Sequence, residues 1–184
     1  MVSMGTVKTL LTFEEFEQLP DQPGKQELVR GELIDLPPAD LKHSRISHRI
    51  YDSLKIAVGQ AHTRGEARDL GEAFHEMGYL LSGECWLQPD VSVTFAGQTE
   101  GKYFEGAPAI AIEVISPGNT AKRIDAKAEL YFQFGAREVW RFFPKKKQVT
   151  IHVPGSARVI TGDEVITTPL LPGLALSLTE IFGD

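Results

Sequence analysis

Only one cysteine, Cys85, occurs in the 184 residues. That excludes an internal disulfide framework and any zinc site built from several thiolates, and it fits a reducing cytoplasm. Beside Trp86, the thiol reads as a packed small apolar group. Long apolar runs are missing too. Nowhere do about 18 apolar residues follow one another, as a membrane-spanning helix requires, and the start MVSMGTVKTLLTFEEF lacks a signal-peptide stretch. The expectation is a soluble cytoplasmic protein with no membrane partner. Positive charge is also short: 19 Lys and Arg against 25 Asp and Glu leave a formal charge of −6. An acidic total argues against tight non-specific binding to nucleic acid, although a local basic groove is compatible with it. There is no repeat, low-complexity tract or linker, and 42% hydrophobic with 24% charged content is ordinary for a globular chain. One domain over residues 1–184 is expected.

What is present centres on the stretch from Ala109 to Gly135, AIAIEVISPGNTAKRIDAKAELYFQFG. The β-branched run Ala109 to Ile115, bounded by Ser116, Pro117 and Gly118, reads as a buried strand interrupted by a single charge, Glu113. Charged side chains are almost never buried without a partner or a metal, so Glu113 requires one. The next segment reads as a helix capped by Asn119 or Thr120 and stopped at Gly135. At about 100° per residue, Lys127 falls inside the apolar arc of Ile124, Ala128, Leu130, Tyr131 and Phe134, while Lys122 falls on the wet side. The plainer alternative for Lys127 is an amine that snorkels to solvent.

Around this centre the chain reads in order. Thr12 and Glu15 form a capping box for a short helix over Phe13 to Leu19, ended by Pro20. Gln26 to Leu36 holds one or two strands around Arg30-Gly31, with Glu32 either a solvated charge beside the turn, the plainer reading, or a residue at a site. A long helix runs from His43 to about Thr63. His43 and His48 do not share a face well, so a two-histidine metal site is not expected; His43 at the helix entrance reads as a plain surface histidine, with contact to a phosphate or another acid as the alternative. Short strands follow at Phe74 to Leu81, Cys85 to Leu87 and Val91 to Phe95, with Asp90 fixed by Pro89 at the entry to the last. A turn aspartate bonded to its own backbone is the equal alternative for Asp90. Gln98 to Pro108 reads as a polar connector. Beyond the central helix come a hairpin, Arg137 to Phe143 and Gln148 to Val153, with Lys145, Lys146 and Lys147 in its loop, then strands near Ala157 to Ile160 and Glu164 to Thr167. The leucine-rich tail is expected to pack back on the core.

Asp90, Glu113 and Lys127 make one chemical pattern. Two carboxylates on neighbouring strands suit a hard divalent cation, and an ammonium beside them orients or helps deprotonate a bound water: the arrangement of metal-assisted phosphodiester hydrolysis. The blocks Gln88-Pro89-Asp90-Val91-Ser92-Val93, Glu113-Val114-Ile115-Ser116-Pro117, Lys127 with Tyr131, and Gly135 with Glu138-Val139-Trp140 resemble the Uma-two family of restriction endonucleases, as do Arg30-Gly31-Glu32-Leu33 and the helix opening at His43. That family is similar to the PD-(D/E)XK nucleases. The resemblance covers nearly the whole chain and implies an α/β (α+β) fold, a restriction-endonuclease-like mixed β-sheet flanked by helices. It also implies a DNA endonuclease using Mg²⁺ or Mn²⁺, with Asp90, Glu113 and Lys127 catalytic and Asp90, Glu113 and the Val114 carbonyl holding the metal. The general motif sets lysine two residues after the second acid, where this chain has Ile115. Lys127 on the helix takes its part. A homodimer is expected, because enzymes that cut both strands are commonly twofold. Two other readings stay open: a nuclease-fold module that binds nucleic acid or protein without cutting, and a purely structural Glu113–Lys127 ion pair.

Overall fold

The computed structural model describes residues 10–20, 24–116 and 120–183. The N-terminal stretch, the Pro117-Gly118 turn and Asn119 as a helix cap lie outside those residues, and the side chain of Lys122 is likewise not described.

The short first helix α1 (Phe13–Glu17) has its capping box closed in both directions between Thr12 and Glu15. Strands β1 (Lys25–Val29) and β2 (Glu32–Leu36) form an antiparallel hairpin that turns at Arg30 and Gly31, both at positive φ. Helix α2 (Leu41–Thr63) begins two residues before His43, because Asp40 accepts the His43 N–H and supplies the cap. The stretch expected as one strand from Phe74 is two, β3 (Leu70–His75) and β4 (Tyr79–Ser82). The break falls at Glu76, which has φ of 50°, and at Gly78, where an added Cβ would meet the Trp86 ring. Strands β5 (Cys85–Leu87) and β6 (Val91–Phe95) lie where the alternation placed them. The polar connector contains a further two-residue strand, β7 (Phe104–Glu105).

The central strand is β8 (Ile110–Val114), followed by helix α3 (Ala121–Gln133) with Thr120 as its N-cap. Gly135, at φ of 105°, ends it in a conformation that costs glycine no Cβ clash. Then come β9 (Glu138–Phe143), β10 (Gln148–Val153), β11 (Ser156–Ile160), β12 (Val165–Ile166), β13 (Leu176–Ser177) and helix α4 (Leu178–Phe182).

Two sheets carry the architecture. The larger runs β11-β10-β9-β8-β6-β3, with β8 and β9 parallel and its other pairs antiparallel; the smaller runs β2-β1-β5-β4-β7. On one face of the larger sheet Ile110, Ile112 and Val114 pack with Ile46, Ile50 and Leu54 of α2 and with the tail residues Leu174, Leu178 and Ile181. On the other face Ala111 and Val139 meet Ala128, Leu130 and Tyr131 of α3 and Tyr79, Leu81 and Leu87 of the smaller sheet. The outer side of the smaller sheet is closed by Phe13, Leu28 and Trp86. Alternation along β8 therefore decides which side chains see α2 and which see α3. Glu113 falls on the α3 side.

Candidate active site

Gln88, Pro89 and Asp90 carry the chain from β5 in the smaller sheet into β6 in the larger, so Asp90 stands where the two sheets meet. The antiparallel register pairs Val91 with Ile112, and one step further it sets Asp90 opposite Glu113. Directly opposed residues share a face of the sheet, so both carboxylates point to the α3 side. Asp90 is only 5% exposed. Its Oδ2 accepts the Val114 N–H at 2.7 Å, a bond from the neighbouring strand that removes the turn-aspartate alternative. Within a strand the N–H and C=O of one residue point the same way, so the Val114 carbonyl also faces the Asp90 side.

The ammonium of Lys127 reaches inward. Its Nζ lies 2.6 Å from Glu113 Oε1 and donates to Glu27 Oε1 at 2.9 Å. Lys127 and Tyr131 stand one helical turn apart on the same face of α3, and the Tyr131 hydroxyl donates to the same Glu113 oxygen at 2.9 Å. A helix face is thus keyed to the strand carboxylate by two donors.

Two further charged residues complete the cluster, and both come from β1. Alternation puts Lys25, Glu27 and Val29 on one face of the hairpin and Leu28 on the other, where it joins Phe13 and Trp86. Lys25 Nζ donates to Asp90 Oδ1 at 3.3 Å. Glu27, 1% exposed, accepts from Lys127 and from the Gln88 N–H at 3.0 Å. His43, for which a surface residue is the plainer expectation and contact with another acid the alternative, is held inside the site. Its Nε2 lies 3.2 Å from Asp90 Oδ1 and its Nδ1 3.2 Å from Ser116 Oγ. The first turn of α2 aims it over the end of the sheet. His48 lies apart from the cluster, against the His75 ring.

Burial and charge push the two acids in opposite directions. Burial alone would raise Asp90, but Lys25, the hydrogen bond from His43 and the Val114 N–H hold it well below the usual carboxylate range. Burial lifts Glu113 above its ordinary value; Lys127 pulls it back, while Asp90 and Glu27 add to the rise. For Lys127 burial works against the charge, and Glu113 and Glu27 outweigh it, so the amine stays protonated beyond the ordinary lysine value. Lys25 is raised for the same reason, chiefly by Asp90 against burial. His43 is raised because its hydrogen bond to Asp90 and that residue's charge outweigh burial. An acid held ionised beside one held nearer protonation is the usual signature of divided roles.

The cluster forms the floor of a cavity of about 630 Å³. Above it rise apolar walls: Ile34, Leu36, Pro37 and Pro38 from the hairpin side and Ile124 from α3. Glu32, expected as a solvated charge, is half-buried on this wall. Arg141 lines the cavity too, tied by Nη1 to Asp125 and by Nη2 to the Ile124 carbonyl.

Among the described residues no group of three or more His, Cys, Asp or Glu is gathered so as to hold an ion by side chains alone. Beside the His43 imidazole, the donors that face one another are two carboxylates and a backbone carbonyl. Among the described residues of the cluster three carboxylates, Glu27, Asp90 and Glu113, face two ammoniums, Lys25 and Lys127, an excess of one carboxylate while His43 is neutral. Such an oxygen-rich, partly compensated set fits a hard cation that keeps several waters.

Sequence reasoning missed Lys25 and Glu27. The available signal was the charged pair Lys25 and Glu27 two residues apart in KQELV, with Glu27 and Leu28 both read as strand; period-two alternation alone does not say which face is the buried one.

A solved structure from Anabaena variabilis, described as "a putative nuclease belonging to DUF820", superposes with a TM-score of 0.79 over 94% of this chain and 97% of that one, at 24% identity, and so shares the fold. No curated protein matches the chain. No helix among the described residues is long and apolar enough to cross a membrane. The family model Uma2, described as "Putative restriction endonuclease", matches residues 13–179, and the chain belongs to that family.

Proposed function

We propose that the chain is a divalent-metal-dependent endonuclease that hydrolyses phosphodiester bonds in DNA. The observation that carries this reading is the meeting of three groups from three elements: Asp90 and Glu113 opposed across β6 and β8, with the Lys127 ammonium 2.6 Å from Glu113 on one cavity floor. Family membership as a restriction endonuclease supports it.

Asp90, Glu113 and the Val114 carbonyl would hold Mg²⁺ or Mn²⁺. The ion, when bound, lowers the pKa of a water and neutralises charge on the phosphate. The remaining work falls to the chain. Of the two roles expected for Lys127, orienting the attacking water or taking its proton, its persistent charge favours the first. As the acid with the raised pKa, Glu113 is the better proton acceptor of the pair. Lys25 and His43 keep Asp90 ionised and oriented, and Tyr131 fixes the Glu113 oxygen that faces Lys127. The proposed partner is DNA, and a homodimer would serve if both strands of a duplex are cut.

Incubation of the purified protein with supercoiled DNA and Mg²⁺ or Mn²⁺ tests the proposal. Nicking by wild type that disappears in Asp90→Ala is expected; no nicking, or equal nicking by the variant, removes it. A second reading, a binding module of the same fold without cleavage, is favoured by Ile115 in place of the motif lysine and by ammoniums that already hold both acids. Calorimetric titration with Mn²⁺ separates the two. Heat abolished by Glu113→Ala supports the enzyme, and no heat at all supports the module.

A further inference from the structure

We infer that the substrate segment is an unpaired strand, one nucleotide of which enters the cavity with its phosphate on the charged floor and its base against the β1–β2 hairpin. The inference rests on the nuclease reading and narrows it.

Depth is the first argument. Asp90 and Glu27 are 5% and 1% exposed, and the side chains of Glu113 and Lys127 14% each, so the reacting groups sit at the bottom of a recess. In a duplex the phosphates lie on the outside of a stiff stack of bases. A duplex phosphate on that floor would leave its base stacked and out of reach of the cavity walls, whereas an unpaired nucleotide can place phosphate and base in the recess together.

The hairpin supplies the second argument. Its register pairs Lys25 with Leu36 and Glu27 with Ile34, and each such pair shares a face. Ile34 and Leu36 therefore run directly beside the charged residues, on the side that faces the cavity, with Glu32 at one end of the row opposite Val29 and Pro37 and Pro38 extending the other. Ile34 and Leu36 remain half-buried there. A metal-bound phosphate alone has no use for such a wall, whereas the flat apolar face of a base has. The volume, about 630 Å³, falls in the range of roughly 300–1,000 Å³ typical of sites for compact organic ligands.

An unpaired substrate also removes the need for two active sites working on opposite strands.

Fluorescence anisotropy of the wild-type chain in Ca²⁺ or in EDTA, with a labelled single strand, the same strand annealed to its complement, and a duplex carrying an unpaired bulge, reads the preference without cleavage. The single strand should bind at least tenfold tighter than the full duplex, and the bulge should recover most of the difference. In Mn²⁺ the cuts should map to the unpaired stretch. Ile34→Asp and Leu36→Asp, each setting a carboxylate where the base would pack, should weaken single-strand binding about tenfold in a chain whose circular dichroism is that of wild type. Single-stranded RNA binding as well as DNA supports the inference and widens the substrate. A duplex bound and cut as well as the single strand overturns it while leaving the nuclease reading intact. A chain that neither binds nor cuts any of the three sinks both.

Discussion

Replacing Lys127 by Met removes the one cation, among the described residues, that touches both Glu27 and Glu113. Its Nζ is 2.6 Å from Glu113 and 2.9 Å from Glu27, with side-chain exposures of 14%, 14% and 1%. Breaking a buried pair from one side typically costs about 3–5 kcal/mol, because the orphaned carboxylate keeps its desolvation penalty. Lys25 still acts on both acids at longer range, so the lower end, about 3 kcal/mol, is expected at pH 8. For a chain of this length that corresponds to a fall in melting temperature of about 6–12 °C. The loss should depend on pH with a definite sign. Glu113 already has a folded-state pKa above its reference of 4.5, and losing Lys127 raises it further. A group with a raised folded pKa favours the folded state at low pH and loses that contribution as pH rises through the folded value. The deficit of Lys127→Met is therefore largest at pH 8 and shrinks toward pH 5. Adding Glu113→Gln to Lys127→Met removes one of the orphaned charges and should restore about 1–2 kcal/mol at pH 8, a coupling of ordinary size for residues that touch. Thermal melts followed by circular dichroism at the two pH values read all of this. A melting temperature of Lys127→Met within about 2 °C of wild type at pH 8 would refute the inward ammonium and the site built on it.

Other consequences are open to direct measurement. The His43 imidazole should titrate above 6.5 in wild type, and in Asp90→Asn it should fall below that value, because burial then acts without the opposing hydrogen bond; two-dimensional NMR of the ring protons gives both. Mn²⁺ binding should strengthen as pH rises and release protons, since the raised Glu113 must be ionised to serve as a ligand; calorimetry in buffers of different ionisation enthalpy counts the protons, and pH-independent binding would argue against Glu113 as a ligand. The β8–β9 register sets Phe142 beside Val114, so the turn carrying Lys145 and Lys146 lies at the same end of the sheet as the acids. Charge reversal at both should weaken oligonucleotide binding and flatten its salt dependence by about 0.7 for each single-strand phosphate no longer neutralised, with unchanged melting temperature.

The elements were legible in the sequence where local chemistry fixes them. The Thr12–Glu15 box, the alternation of Val91 to Phe95 and the apolar arc of α3 each specify a conformation without help from distant residues. Lys127 was readable for the same reason, since 100° per residue settles its face. Less legible was anything decided between elements. His43 sits one turn into a helix whose sequence says only that the residue is near an end; the docking of α2 across the sheet brings it to Asp90. The break between β3 and β4 turns on Gly78 having room against Trp86, an approach across strands that periodicity does not record. Glu27 was the hardest, for the hairpin reads equally well with either face inward until the smaller sheet is laid over α3.

That residue also bears on why the lysine can stand on a helix. An amine two residues after Glu113 would share its strand and its face, and its place would follow from β8 alone. From α3 the ammonium has no such constraint, and with Glu113 as sole partner it would be left uncompensated in a buried setting whenever that carboxylate turned to another ligand. Glu27 supplies a second acid, itself fixed by the Gln88 N–H two residues before Asp90. The ammonium then keeps a counter-ion while Glu113 exchanges partners. Of the two charges a divalent cation would add, the excess carboxylate of the cluster would meet one. On this account the smaller sheet does more than cover the larger one: its first strand sets the position of the amine that the central strand does not carry.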